Sequence, residues 1–244
     1  MAYTTKRPSG LSIKRSGANF VVSWKIGDKD YNEGQTFQWK VAGGQWQDVP
    51  ISPQTTKKVI SVTAANYFPN TKKLLRSVHV RICGRRADFK SGNDTINPAT
   101  SPWTEKAYEI QLPNKPKLSV SLSANNDNVC TFTWTTVAAA DNARWCSRVQ
   151  CQTALVANSN ITDGAKIPHA AWTTMAATSA NSSATITEDS SVINKGTAYT
   201  RWFRIRSQGP KGNSDFVYAR HVYSVPYQTK NVTAGAIEDR KSVV

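Results

Sequence analysis

Methionine (two), histidine (three) and cysteine (four) are all sparse in this 244-residue chain, and charged residues make up only 19% of it. Leucine and glutamate are thin as well. These are among the residues that enter a helix at least cost, so their scarcity disfavours long helices. No run approaches the roughly 18 to 20 consecutive apolar residues that would cross a bilayer, so no membrane insertion is expected. The opening stretch, Met1 to Pro8, lacks the apolar centre of a signal peptide, and the expectation is that the chain enters no standard secretory route.

Chemical constellations are missing too. His79, His169 and His221 lie far apart, none at metal-ligand spacing with a cysteine or carboxylate. There is no glycine-rich phosphate loop, no nucleophile elbow and no paired-carboxylate motif. The expectation is a protein without catalytic residues, cofactor or metal. Cys83 stands in the first half while Cys130, Cys146 and Cys151 stand in the second, so no pairing within one half uses all four. Mostly buried or free thiols are expected, with a bridge from Cys130 as the alternative.

Threonine, serine, valine, asparagine and tryptophan are abundant, a composition suited to pleated, half-buried strands. With 39% apolar residues and eight tryptophans there is bulk enough for two cores of ordinary size. The net charge is +15. Residues 1–113 carry 17 basic and 8 acidic side chains, residues 114–226 carry 11 and 6, and residues 227–244 carry 3 and 2. So even a spread describes a cationic surface that suits an anionic neighbour. It lacks the aromatic and basic groove of a nucleic-acid site, and nucleic acid is not the expected partner.

The strongest pattern is an internal repeat of residues 8–113 over 116–226. Each half opens with a proline and an alternating strand, Pro8-Ser-Gly-Leu-Ser-Ile and Pro116-Lys-Leu-Ser-Val-Ser-Leu. Next come Asn19-Phe-Val-Val-Ser-Trp24 and Val129-Cys-Thr-Phe-Thr-Trp134, each a period-two run ending in tryptophan. A third strand is expected around Trp39 and around Trp145. Later, Ser77-Val-His-Val-Arg81-Ile and Thr200-Arg-Trp-Phe-Arg204-Ile each pair an apolar face with a polar one. A last strand in each half ends in Pro113 or Pro226, and Pro113-Asn-Lys-Pro116 makes a stiff linker.

About seven short strands in roughly 110 residues, twice over, describe an immunoglobulin-like sandwich. The proline opening, the tryptophan closing the second strand, the Arg-Ile strand and Ser101-Pro-Trp103-Thr together resemble fibronectin type III modules over residues 8–226. The resemblance implies an all-β chain of two tandem sandwiches, 8–113 and 114–226, with an N-terminal arm (1–7) and a C-terminal extension (227–244). The second half departs from the pattern by carrying Gly-Asn-Ser214-Asp-Phe where the first has Ser-Pro-Trp. Its middle, Leu155 to Ser191, is longer and reads as a decorated edge or long loop.

Sandwich loops cluster at the two ends, where binding residues gather. The loop from Gly84 makes Arg85, Arg86, Phe89 and Lys90 the first candidate contact patch, while the shorter loop after Ser207 reads as a plain turn. Trp24, Trp39, Trp134, Trp145 and Trp202 read as core. Trp46 and Trp172 are the candidate exposed aromatics. Both terminal arms read as segments that order against a neighbour.

Modules of this kind without an export signal, with reduced thiols and polar strands, resemble bacteriophage tail, fibre or baseplate proteins. That resemblance implies a virion component assembled in the host cytoplasm. It would contact other virion proteins and its own copies, and a host-surface glycan or anionic polymer. The alternative is a carbohydrate-binding accessory module exposing Trp46 or Trp172 to sugar.

Overall fold

The computed structural model describes residues 4–123, 126–135, 143–157, 161–175, 181–188 and 199–223. The C-terminal extension and parts of the long second-half insertion lie outside the described residues.

The first sandwich is built from β1 (Ser9–Ser16), β2 (Asn19–Lys25), β3 (Asn32–Val41), β4 (Gln47–Val49), β5 (Lys57–Ser61), β6 (Ser77–Arg86), the small hairpin β7 (Phe89–Ser91) and β8 (Asp94–Ile96), β9 (Ala99–Thr100) and β10 (Thr104–Glu109). One sheet has the order β1-β2-β5. The other has the order β10-β6-β3-β4, with β9 on the end of β6. Alternation dictates the packing. Phe20, Val22 and Trp24 of β2 and Val78, Val80 and Ile82 of β6 point inward and are buried. Between the sheets Trp24 stacks on Phe37 with ring centroids 5.3 Å apart.

The second sandwich repeats this plan with β11 (Lys117–Ser123), β12 (Asn126–Thr135), β13 (Arg148–Ala157), β14 (Thr173–Thr174), β15 (Asn181–Thr187), β16 (Tyr199–Gly209), β17 (Gly212–Asn213) and β18 (Val217–Tyr223). Its sheets run β11-β12-β15 and β14-β13-β16-β17, with β18 also on β16. Phe203 stacks between Phe132 and Trp134, at 4.8 and 5.5 Å, as the aromatic centre of the core. Three strands facing a larger sheet, in the same order twice, make the chain all-β, two tandem sandwiches of fibronectin type III type. Arg81 pairs across with Gln38, and Arg204 with Gln152, so the two halves superpose in register.

Trp145 does not sit on the third strand of the second half. It precedes β13 and belongs to the core of the first sandwich, edge-on to Phe20 at 6.4 Å and beneath the Arg15 guanidinium at 5.0 Å. Around it the backbones knit together: Leu75 donates its N–H to the Pro210 carbonyl at 2.8 Å, and Gln111 donates to Ala143 at 2.9 Å. Gly209 is required here, because any Cβ would collide with the Trp145 carbonyl. The loop after Ser207, expected to be a plain turn, is therefore half of the joint between the sandwiches.

The long insertion also has a structural purpose. Its two short 3-10 turns, Gly164–Lys166 and His169–Ala171, cover the outer face of β13 and β16. There Ile167, Trp172, Ala154 and Trp202 form a separate apolar cluster with Val156, Ile161 and Tyr218 packed against it. The larger sheet of the second sandwich is thus covered on both faces over part of its length.

Candidate binding surfaces

Where the first-half loop was expected to offer four contact residues, the structure divides them. Arg85 and Lys90 are exposed, and Arg85 pairs with Glu33 at 3.2 Å. Phe89 stacks on the partly exposed Tyr31, with centroids 4.1 Å apart. Arg86 is not a solvated loop residue. It is 2% exposed, donates to the carbonyls of Ala87 and Asn97 and, through Nε, to Thr5 Oγ1 at 3.3 Å. Its hydrogen-bonding capacity goes inward because the N-terminal arm runs over it.

Residues 4–7 of that arm are seated on the first sandwich. The Lys6 N–H donates to Asp28 Oδ2 at 2.8 Å, and Thr5 is buried. Gly27 lets the arm approach closely, since a Cβ there would strike the Lys6 carbonyl.

The two candidate exposed tryptophans behave differently from expectation. Trp172 is buried, 7% exposed, because the insertion that carries it folds back onto the sheet. Trp46 is half-buried, with Lys40 Nζ 4.6 Å and the Arg81 guanidinium 4.2 Å from its ring centroid. Trp172 presents no open face to a sugar, whereas Trp46 stays partly exposed beside its two cations.

These contacts belong to a feature shared by both sandwiches. Arg81 is held between Trp46 and Trp103, at 4.2 and 4.3 Å, and its Nε donates to Gln38 Oε1 at 2.6 Å. Arg204 is held between Trp172 and Phe216, also at 4.2 and 4.3 Å, and its Nε donates to Gln152 Oε1 at 2.7 Å. Each desolvated cation–π contact is worth about 1 to 2 kcal/mol. The ring beyond each arginine is placed by a serine. Ser101 Oγ accepts the Gly84 N–H and Ser214 Oγ accepts the Ser207 N–H, both at 3.0 Å, and each hydroxyl donates onward to the next residue's carbonyl. The Ser214-Asp-Phe216 segment therefore does the work of Ser101-Pro-Trp103, although the sequences differ. The signal that could have found it was the serine two residues before an aromatic in both halves.

Catalytic chemistry finds no footing in the thiols. Cys83, Cys130 and Cys151 are buried, Cys146 is half-buried and all four are free. Burial pushes the Cys83, Cys130 and Cys146 thiols above their ordinary range, away from the reactive thiolate. Cys130 instead shares a 3.4 Å hydrogen bond with Tyr223, whose hydroxyl donates to Glu188, the carboxylate gripped by Arg201 at 2.5 and 2.7 Å. Among the described residues no group of three or more histidine, cysteine or carboxylate side chains could hold a metal ion, and no helix is long and apolar enough to cross a membrane.

No protein-family model matches the chain, and no curated protein matches it. Among solved structures it is similar to a two-domain fibronectin type III segment of chicken tenascin, at 11% identity and a TM-score of 0.34, over 88% of this chain and 98% of that one. It is also similar to the FN1–FN3 domains of chicken CNTN1, at 15% identity and a TM-score of 0.32, over 90% of this chain and 66% of that one.

Proposed function

We propose that this chain is a non-catalytic structural and adhesion protein and, more specifically, a component of a bacteriophage particle, in its tail, fibre or baseplate. The observation that carries the structural reading is the joint: the second sandwich supplies Trp145 to the core of the first, so the pair behaves as one stiff element. A stiff pair of sandwiches serves as a spacer that sets distance and angle between partners. Four free thiols fit folding in a reducing compartment such as a host cytoplasm, where disulfides do not persist. Partners in this reading are other virion proteins, further copies of the chain, and an anionic or glycan surface on the host.

The test is mass spectrometry of particles banded in a density gradient from the culture that encodes the chain. Recovery at a copy number fixed relative to the major tail protein supports the virion reading, and its absence from intact particles overturns it. Small-angle scattering of the purified chain tests the spacer independently: a single interdomain distance is expected, and a broad distribution would remove the mechanical basis.

A further inference from the structure

On the outer face of the second sandwich, β13 and β16 set three arginines against three glutamines in consecutive cross-strand pairs. The pairs are Arg148 with Gln208, Gln150 with Arg206, and Gln152 with Arg204. In each, the arginine Nε donates to the glutamine Oε1, at 3.0, 2.7 and 2.7 Å. Rows on one face of a strand repeat every two residues, so successive pairs lie about 7 Å apart along the sheet.

Every partner in this array is neutral. Phe216 stands between the guanidinium groups of Arg204 and Arg206, at 4.3 and 4.4 Å, and fixes their planes. With the Asn213 amide turned to suit its surroundings, its oxygen accepts from both terminal nitrogens of Arg206, at 3.0 and 3.1 Å. Among the described residues no carboxylate pairs with Arg148, Arg204 or Arg206, and the ion pairs of the second sandwich lie elsewhere, at Lys115–Asp215 and Arg201–Glu188.

The first sandwich shows the contrast. Its equivalent arginine, Arg81, meets Glu105 at 3.6 Å, and Gln38 beside it binds Asp48 at 2.8 Å. A scaffold that only needed its arginines oriented would be served by glutamate, which accepts the same hydrogen bond and cancels the charge. Glutamine orients the fork and leaves the charge intact. Burial, together with the positive charge of Arg204, weakens the hold of Arg206 on its proton, the cost of keeping like charges side by side.

We propose that this face, at Arg148 and Arg206, binds the carboxylate or sulfate groups of an acidic polysaccharide. Arg148 is exposed and Arg206 half-buried, while Arg204 lies buried beneath Trp172 and Phe216 and contributes its field. With its Nε engaged by Gln208, the exposed Arg148 fork offers its terminal nitrogens to an oxyanion, and Arg206 keeps one N–H on each terminal nitrogen beyond the two that the Asn213 oxygen accepts. The ring of Phe216 is taken up by guanidinium groups, so it gives no platform on which nucleic-acid bases could stack, and this favours polysaccharide over nucleic acid. The proposal rests on the adhesion reading for the polymer's place on a host surface. Its chemistry is testable without that reading.

The experiment is affinity electrophoresis of the full chain through gels containing polygalacturonate, dextran sulfate, neutral dextran or single-stranded DNA, at about 0.1 M salt. The variants are R148Q/R206Q and, with the same loss of charge on the first sandwich, K14Q/K57Q, each checked for folding by near-ultraviolet circular dichroism. Retardation by polygalacturonate or dextran sulfate, but not neutral dextran, is expected, weakening about tenfold in R148Q/R206Q and less than about twofold in K14Q/K57Q. The two charged gels separate carboxylate from sulfate as the recognised group. Equal weakening in both variants, no weakening in R148Q/R206Q, or stronger retardation by DNA than by either polysaccharide overturns the proposal. None of these results bears on whether the chain is found in particles, so the two readings fail separately.

Discussion

Trp145, carried by the second sandwich, stands edge-on to Phe20 of the first with ring centroids 6.4 Å apart, and it is 7% exposed. A large aromatic so placed couples the unfolding of the two sandwiches. Trp145→Ala is expected to cost about 3 kcal/mol and to split a single calorimetric transition into two. A single transition of unchanged midpoint would remove the joint as a stabilising element.

Gly209→Ala tests the same joint from its other side, because the added methyl meets the Trp145 carbonyl. A loss of about 1 to 3 kcal/mol is expected, with faster proteolysis in the linker between Pro113 and Pro116. Limited digestion followed by mass spectrometry reads the cleavage site directly.

Arg204→Ala removes the cation held between Trp172 and Phe216 and leaves Gln152 without its donor. About 2 to 3 kcal/mol is the expected loss in denaturant titration. Arg81→Ala in the first sandwich is expected to cost less, since Arg81 has 22% of its side chain exposed and water can replace part of what is lost.

Acid and alkali act on different groups. Burial, first, and then the hydrogen bond with Cys130 raise the Tyr223 hydroxyl above its usual range, and burial raises the Cys130 thiol. A raised value means that stability is full below the unfolded value and declines as pH rises above it, so an alkaline decline is expected from about pH 9 to 10 upward. His221 is lowered by burial, so its contribution is present above its unfolded value and is lost as pH falls below about 6.5. Urea midpoints across pH check both arms, with Tyr223→Phe expected to flatten the alkaline one and His221→Gln the acid one.

Arg86→Ala releases the arm that crosses it. Trypsin is expected to cut after Lys6 in the variant well before it does so in the parent chain, where the Lys6 N–H is tied to Asp28 and Thr5 is buried against Arg86. Equal rates would mean that Asp28 alone holds the arm.

Period-two alternation made much of the fold readable in advance. Trp24 and Trp134 are core residues because inward positions on a strand recur every second residue, and the sequence around them says which face that is. Alternation says nothing about whether the outer face will be covered later. In the sequence Trp172 is a candidate exposed aromatic, yet the segment that carries it folds onto Trp202, a contact set by three-dimensional closure of an insertion. Arg86 misled for a similar reason: a basic doublet in a loop reads as solvated until a distant arm crosses it. Trp145 sits three residues before its strand, and only docking of the sandwiches decides whose core it joins. The arginine and glutamine array was visible as residue types but needed the register of β13 against β16 to become pairs.

A sandwich that borrows an indole from its successor is an incomplete unit of inheritance. Recombination that cut between Pro113 and Pro116 would hand the first half on with an open socket beside Phe20 and the second half with an uncovered tryptophan. Chains that exchange domains by such cuts need self-sufficient modules. Here the piece that can be passed on intact is the pair.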